Sequence, residues 1–431
     1  MTIEETTEAT LDADIQGACP VLVEFWDPLA MHAPQLERLA ADYAGRLKVL
    51  TLNLDEAPGG WQHFGMRFVP TLVLYANGTE YNRVVIPTAM RLRVMIEKWL
   101  GELGLDVTVP DRASVDPRIE PAGADASAQP RVWHSFGGDP DLKAQCVARL
   151  WDALYEKQFV PSELLAGGKD QFETVVGAPA QLGKLFDAGW RLAFAGDQQE
   201  TERVRAQAGE LAQALPVGAD LQTVSTGVLF DLVYCSQWDI IQSLDTGGGL
   251  ELMTRIRALH VRGISGESIE PADWQALQRE AAMLDGHPDC DALSRVLEML
   301  ARPLAEWDAA MTVSTVIRRA ATDYRRYPDW SRDEAQRVRT MELEIEKRAI
   351  KLAKSDVGEL PMKPGAERDA WMKVMGKHYR TLDKQCREAQ PALWERYDAW
   401  CTHEQETRKQ ILAYLAENLL IRLRACAGQG A

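Results

Sequence analysis

No two of the seven cysteines (Cys19, Cys146, Cys235, Cys290, Cys386, Cys401 and Cys426) lie within ten residues of one another. That spacing excludes a Cys-x-x-Cys motif, for redox work or for zinc. An odd, scattered set fits reduced and mostly buried thiols in a reducing compartment. The seven histidines never fall at His-x-x-x-His or His-Glu-x-x-His spacing, so no helix-borne metal pair is expected. The nearest approach to a metal motif is Asp285-Gly286-His287-Pro288-Asp289-Cys290, which reads as a turn between two helices. Neither a metal nor a cofactor is expected. No apolar run approaches the ~20 residues that span a bilayer. The opening stretch MTIEETTEATLDAD is acidic and polar, not basic and then apolar, so no secretory leader is expected. A cytoplasmic protein with no membrane role follows as the expectation.

Positive charge is also short. The net charge is −16 over 431 residues, and phosphate is repelled by such a surface, which argues against nucleic acid as a partner. The charge is uneven: residues 331–431 hold 19 Lys/Arg against 16 Asp/Glu, or +3, which leaves −19 on residues 1–330. A mildly basic tail on an acidic body could steer an acidic partner, although a solvated helix face has the same composition. What is present is ordinary for a globular protein, 46% apolar and 26% charged, and the length allows two or three domains.

Residues 1–105 alternate helical and strand patterns. Val21-Leu22-Val23-Glu24-Phe25-Trp26 is a short apolar run of the buried-strand kind, and Val49–Leu54 and Thr71–Tyr75 alternate at period two. Asn77-Gly78 then signals a hairpin, the next strand is expected over 80–86, and a helix from 88 to 103 closes the unit. This is an α/β domain, a mixed sheet with helices on both faces. Residues 106–130 contain four prolines and little periodic apolar content, as a linker would.

From residue 131 onward the pattern is a larger all-α region, expected as a helical domain over 131–302 and a long-helix region over 303–431. Amphipathic segments run near 179–195, 198–214, 222–243, 250–262, 271–284 and 291–302. Neither Gly167-Gly168 nor Gly247-Gly248-Gly249 is followed by Gly-Lys-Ser/Thr, so no phosphate loop is expected. Ser331 and Glu334 form a capping box. Val338, Met341, Ile345, Ala349 and Leu352 follow as a helix seam. A further helix carries Trp371, Met375, Tyr379, Leu382 and Cys386. Pro391 opens a last helix of ~35 residues, about 50 Å long. The last two helices are expected to pair as a hairpin. Trp371, Tyr379, Trp394, Tyr397 and Trp400 read as its core. No repeat with a period of ~33 to 47 residues is apparent.

Five pieces, in order and spacing, carry a resemblance: Val21–Trp26, Ala33-Pro34-Gln35-Leu36, Leu50–Asp55, Phe64–Leu72 and Tyr75–Gly78. Together they make residues 1–105 resemble the thioredoxin family over its full domain. The resemblance implies that Val69-Pro70 is the family's cis-proline, in a loop beside the active site that offers backbone to an extended peptide. It also implies that Pro34 and Gly78 are structural, and that Glu24 stands where redox-active members keep a buried carboxylate. One departure governs the mechanism. Between Phe25-Trp26 and Ala33-Pro34 the chain holds only Asp27-Pro28-Leu29-Ala30-Met31-His32, four residues fewer than typical members, and the redox pair is among the missing. Asp27 and Pro28 suit a rebuilt helix start. Disulfide exchange needs an attacking thiolate and a resolving thiol. Cys19 lies at the other end of the strand from Trp26, roughly 15 to 20 Å away at ~3.3 Å per residue. No catalytic residue is therefore assigned.

The leading expectation is a redox-inactive protein-binding module, chaperone-like or an assembly factor, whose partner is a protein or an unfolded client. Trp26, Leu29, Phe68, Val69 and Pro70 would hold an extended segment, and Glu24 would make a structural hydrogen bond. The layout is similar to the chaperedoxins, chaperones with a thioredoxin domain ahead of helical repeats, although the helical region lacks tetratricopeptide spacing. Three alternatives stand beside it. One is a thiol oxidoreductase using a non-standard cysteine such as Cys19. The second is an enzyme in the helical region, built around His134, Ser135 and Asp139. The third is a scaffold that oligomerises through the C-terminal helices.

Overall fold

The computed structural model describes residues 3–27, 32–33, 36–57, 60–66, 68–108, 132–153, 160–193, 198–241, 248–284, 290–361 and 365–427. Leu29, Pro34, most of the expected linker and the 285–289 turn lie outside the described residues. The chain divides into two compact units, Met1–Trp133 with Leu244–Asp308, and His134–Ser243 with Ala309–Ala431.

The first unit opens with β1 (Glu4–Thr6), α1 (Leu11–Asp14), β2 (Val21–Trp26), α2 (Leu36–Asp42), β3 (Lys48–Asn53), α3 (Gly60–His63), β4 (Thr71–Ala76), β5 (Thr79–Val85) and α4 (Ala89–Glu102). The strands form one mixed sheet in the order β1-β3-β2-β4-β5. β2 runs parallel to β3 and antiparallel to β4. As the central strand it is covered on both faces, which is why its sequence reads as an unbroken apolar run. Leu22, Leu72, Leu74 and Val84 face α2 and α4, where they pack with Tyr43, Met95 and Trp99. Val21, Val23, Phe25, Leu50 and Leu52 face the other way, onto Leu11 and Ile15. Asn77 and Gly78 both take positive φ, 52° and 76°, as a two-residue hairpin turn requires. A Cβ at position 78 would also strike the Gln16 side chain. β1 was not expected. Its three residues, Glu-Glu-Thr, carry no apolar alternation, and its place on the sheet comes from parallel pairing with Leu50–Leu52.

The rest of the chain is helical: α5 (Pro140–Ala153), α6 (Pro161–Ala166), α7 (Ala180–Ala193), α8 (Gln198–Ala214), α9 (Gln222–Tyr234), α10 (Gly248–Ile264), α11 (Pro271–Ala282), α12 (Cys290–Leu300), α13 (Ala309–Ala321), α14 (Arg332–Val357), α15 (Ala366–Ala389) and α16 (Pro391–Ala427). Helices α10, α11 and α12 fold with the α/β part, so the helical domain expected over 131–302 is cut at residue 244. A polar clamp at the start of α4 joins α11 and α12 to it. Arg91, only 1% exposed, donates to the carbonyls of Ala282 and Leu284, both at 2.9 Å, and pairs with Asp291 at 2.7 Å. Asp291 also accepts from the Val85 amide at 3.0 Å. Thr88 donates to Glu298 at 2.7 Å, and Arg295 donates to the Ile86 carbonyl at 2.8 Å. A buried arginine needs such partners, and here they come from residues about two hundred positions away.

In the second unit the capping box forms as the sequence indicates, with Ser331 and Glu334 each bonded to the other's backbone. The expected hairpin is made by different helices. Ile345 and Ala349 of α14 pack on Leu382 of α15, Trp371 Nε1 donates to the Gly358 carbonyl at 2.9 Å, and Arg337 meets Gln390. The paired numbers rise on one helix as they fall on the other, so α14 and α15 are antiparallel. Ala353 rather than Leu352 completes the α14 seam. α16 touches this hairpin at its start, where Leu393 and Trp394 join Trp330 and Val338. It then continues through Ile411, Leu412, Leu415, Leu419 and Leu423, all buried, against α7, α8, α9 and α13. That second apolar stretch draws α16 away from α15.

Candidate functional site

β2 ends at Trp26, and its register sets what stands there. Phe25 is opposite Thr71 on β4, so Trp26 comes level with Pro70. The Val69–Pro70 bond is cis. Around it the backbone is partly committed: Thr71 Oγ1 donates to the Phe68 carbonyl at 2.5 Å, and the Ile86 amide donates to the Pro70 carbonyl at 2.8 Å. The Val69 amide and carbonyl make no backbone hydrogen bond among the described residues. Phe68, an apolar side chain in the same loop, is 51% exposed.

Glu24 lies two residues before Trp26, on the α2 side of the sheet. It is 0% exposed, and a carboxylate so placed must be bonded. Oε1 accepts the Ala33 amide at 2.5 Å, and Oε2 receives His32 Nδ1 at 2.6 Å. The His32 side chain is itself 53% exposed, and its ring lies 4.4 Å from that of Trp26. The sequence reading passed over His32. A signal was available, because a glutamate inside an apolar strand needs a donor, and His32 is the first donor side chain after the strand.

The structure thus brings Glu24, Trp26 and His32 together at one end of β2, level with the loop of Phe68, Val69 and Pro70. Cys19 is elsewhere. It precedes the start of β2, is partly exposed, and its thiol lies 3.6 Å from the Pro20 carbonyl. No other cysteine occurs before residue 146. Residues 2–98 match the family model for thioredoxin. A thioredoxin of Alicyclobacillus acidocaldarius subsp. acidocaldarius is 39% identical over 83 residues, 18% of this chain and 79% of that protein. The chain belongs to the thioredoxin family. Thioredoxin M-type, chloroplastic, of Pisum sativum is 38% identical over 105 residues, 23% of this chain, and the chain spans 60% of that relative's length. A thioredoxin of Staphylococcus aureus is 36% identical over 89 residues, 85% of its length.

Membership in the thioredoxin family rests on the first quarter of the chain, and the other candidates read from the sequence take structural places. Ser135 is fully buried; it donates to the Pro216 carbonyl at 2.6 Å and accepts from the Ala219 amide at 3.0 Å. Asp139 accepts from the Asp141 and Leu142 amides at 2.8 and 3.2 Å, as a helix N-cap does. His134 points to solvent instead. Hence no His–Ser–Asp relay is assembled by these three residues. Among the described residues no group of three His, Cys, Asp or Glu is placed to hold a metal, and no helix is long and apolar enough to cross a membrane.

Proposed function

We propose that the thioredoxin-like domain of this chain binds protein segments and carries out no dithiol exchange. The observation that carries the reading is the end of β2. Where the resemblance implies a cysteine pair, the chain has Asp27–His32, and the buried Glu24 carboxylate is bonded to an imidazole and an amide, with no thiol to serve. The loop beside it has what a docked strand uses: a Val69 amide and carbonyl with no backbone hydrogen bond among the described residues and an exposed apolar residue at Phe68. Extended peptides add to such edges through main-chain hydrogen bonds, with neighbouring side chains setting preference. In this reading the protein works as a chaperone-like or assembly factor in the cytoplasm. The partner is a protein or an unfolded client.

A single turbidity assay separates this from catalysis. Insulin treated with limiting dithiothreitol precipitates as its B chain is released. A dithiol enzyme shortens the lag. The intact chain is expected to leave reduction unaccelerated and to delay precipitation at stoichiometric concentration. A shortened lag would refute the reading and return Cys19 to consideration.

A further inference from the structure

The α14–α15 hairpin leaves four large apolar side chains in water: Leu343, Leu352, Val357 and Met372, each 36 to 50% exposed. α14 buries one row, Val338, Ile345, Ala349 and Ala353. At 3.6 residues per turn, Leu343, partly buried Ile350 and Val357 form a second row, about 100° further round the helix. Trp371 Nε1 donates to the Gly358 carbonyl at 2.9 Å, which sets Met372 level with Val357. The antiparallel pairing turns both to the same side of the hairpin. α16 covers the base of that side: Tyr397 donates to Glu342 at 3.1 Å, and Arg387 stands 4.3 Å over the Trp394 ring. The exposed row begins at Leu343, one residue beyond Glu342, where α16 turns away to its own apolar partners. The outer half of the hairpin thus continues a helix–helix groove that α16 fills only at its start.

The charge around this groove is unlike that of the rest of the chain. Residues 347–380 hold nine Lys/Arg against four Asp/Glu, or +5, which leaves −21 on the other residues. Lys347 and Lys354 flank the apolar row along α14, and Arg380 stands on the facing rim of α15; all three are exposed. Lys354 meets Glu359 at 3.0 Å, both side chains in water, a kind of pair that is exchanged at little cost. Glu346 is the one carboxylate beside the row, at the end nearer α16.

We propose that the outer half of the α14–α15 hairpin is a docking face for an acidic amphipathic helix of a partner protein. The row from Leu343 to Val357 is about 21 Å long, or four helical turns, and its seven-residue spacing matches the repeat of a packed helix. The partner's apolar stripe covers this row and Met372, and its carboxylates meet Lys347, Lys354 and Arg380. A phosphate backbone would use the cations and leave the apolar row in water. The face belongs to the second unit and does not depend on the reading of the thioredoxin-like domain.

The test titrates full-length protein into fluorescein-labelled synthetic peptides of three heptads, read by anisotropy. One peptide has leucine at a and d with glutamate around them, the second has lysine for glutamate, and the third scrambles the first. The acidic amphipathic peptide should bind, more weakly as salt rises, and the other two should bind at least roughly tenfold more weakly. Val357→Asp should weaken the first peptide roughly tenfold or more, and Lys354→Glu roughly three- to tenfold. Both positions are exposed, so melting curves should not move; should Val357→Asp melt early, Lys354→Glu and Lys347→Glu decide. Equal binding of all three peptides, or affinity unchanged in the variants, would overturn the proposal. A dimer in sedimentation that Val357→Asp dissociates would overturn it in favour of a second copy. Binding to phosphatidylserine vesicles with none to the acidic peptide would overturn it in favour of a lipid surface.

Discussion

Glu24 illustrates how one residue can be costly to place and still be retained. It sits in the central strand with no exposure, and its stability depends on two hydrogen bonds from the chain that follows. Glu24→Leu would leave the Ala33 amide without its acceptor, and an unsatisfied buried donor costs about 1–3 kcal/mol. Urea denaturation should show that loss, with a smaller one for Glu24→Gln. His260 makes the opposite kind of demand. It is buried between Trp274 and Trp307, with Nε2 2.7 Å from the Arg302 carbonyl. Burial lowers its pKa from 6.5 to about 4, only partly offset by that hydrogen bond. The folded state therefore holds the neutral ring, and the unfolded chain binds the proton more readily. Stability from this residue is complete above about pH 6.5 and falls as the pH drops towards 4, by up to about 3 kcal/mol. Melting curves from pH 7 to pH 4 should show that decline, and His260→Phe should flatten it.

Among the elements, those whose signals are local were legible in the sequence. β2, the Asn77-Gly78 turn and the Ser331 capping box depend on neighbours within a few positions, and they fall where the residues indicate. The elements that were not legible depend on distant partners. β1 is a strand because β3 lies beside it, not because of its own three residues. The pairing of α14 with α15, in place of α15 with α16, follows from the apolar stretch at 411–423, which any helix seam could have received. Likewise the docking of α11 and α12 on α4 turns on Arg91, an ordinary surface residue by composition, whose partners lie near residues 282–298. That clamp makes a clear prediction. Arg91→Met leaves Asp291 without its 2.7 Å partner, and breaking a buried charge pair costs about 3–5 kcal/mol. Amide exchange should quicken in α11 and α12 while β2 and β3 stay protected. Unchanged exchange there would mean that apolar packing alone holds these helices.

For the molecule as a whole, the thioredoxin-family segment is a minority of the chain, and the helices are its bulk. The candidate site was legible in part: Trp26, Phe68, Val69 and Pro70 follow from the family pattern, whereas His32 is signalled only indirectly, by a strand glutamate whose donor stands eight residues on. The net charge of −16 disfavours nucleic acid, and in the proposed reading a protein segment docks at the loop of Phe68, Val69 and Pro70. The most direct test is affinity capture from lysate with the intact chain and with Phe68→Asp, read by quantitative mass spectrometry. Since Phe68 is half exposed, the substitution should leave the melting temperature unchanged. A specific set of proteins held by the intact chain and lost from Phe68→Asp is the predicted result. An identical set on both would contradict the account and move the search for function to the helices.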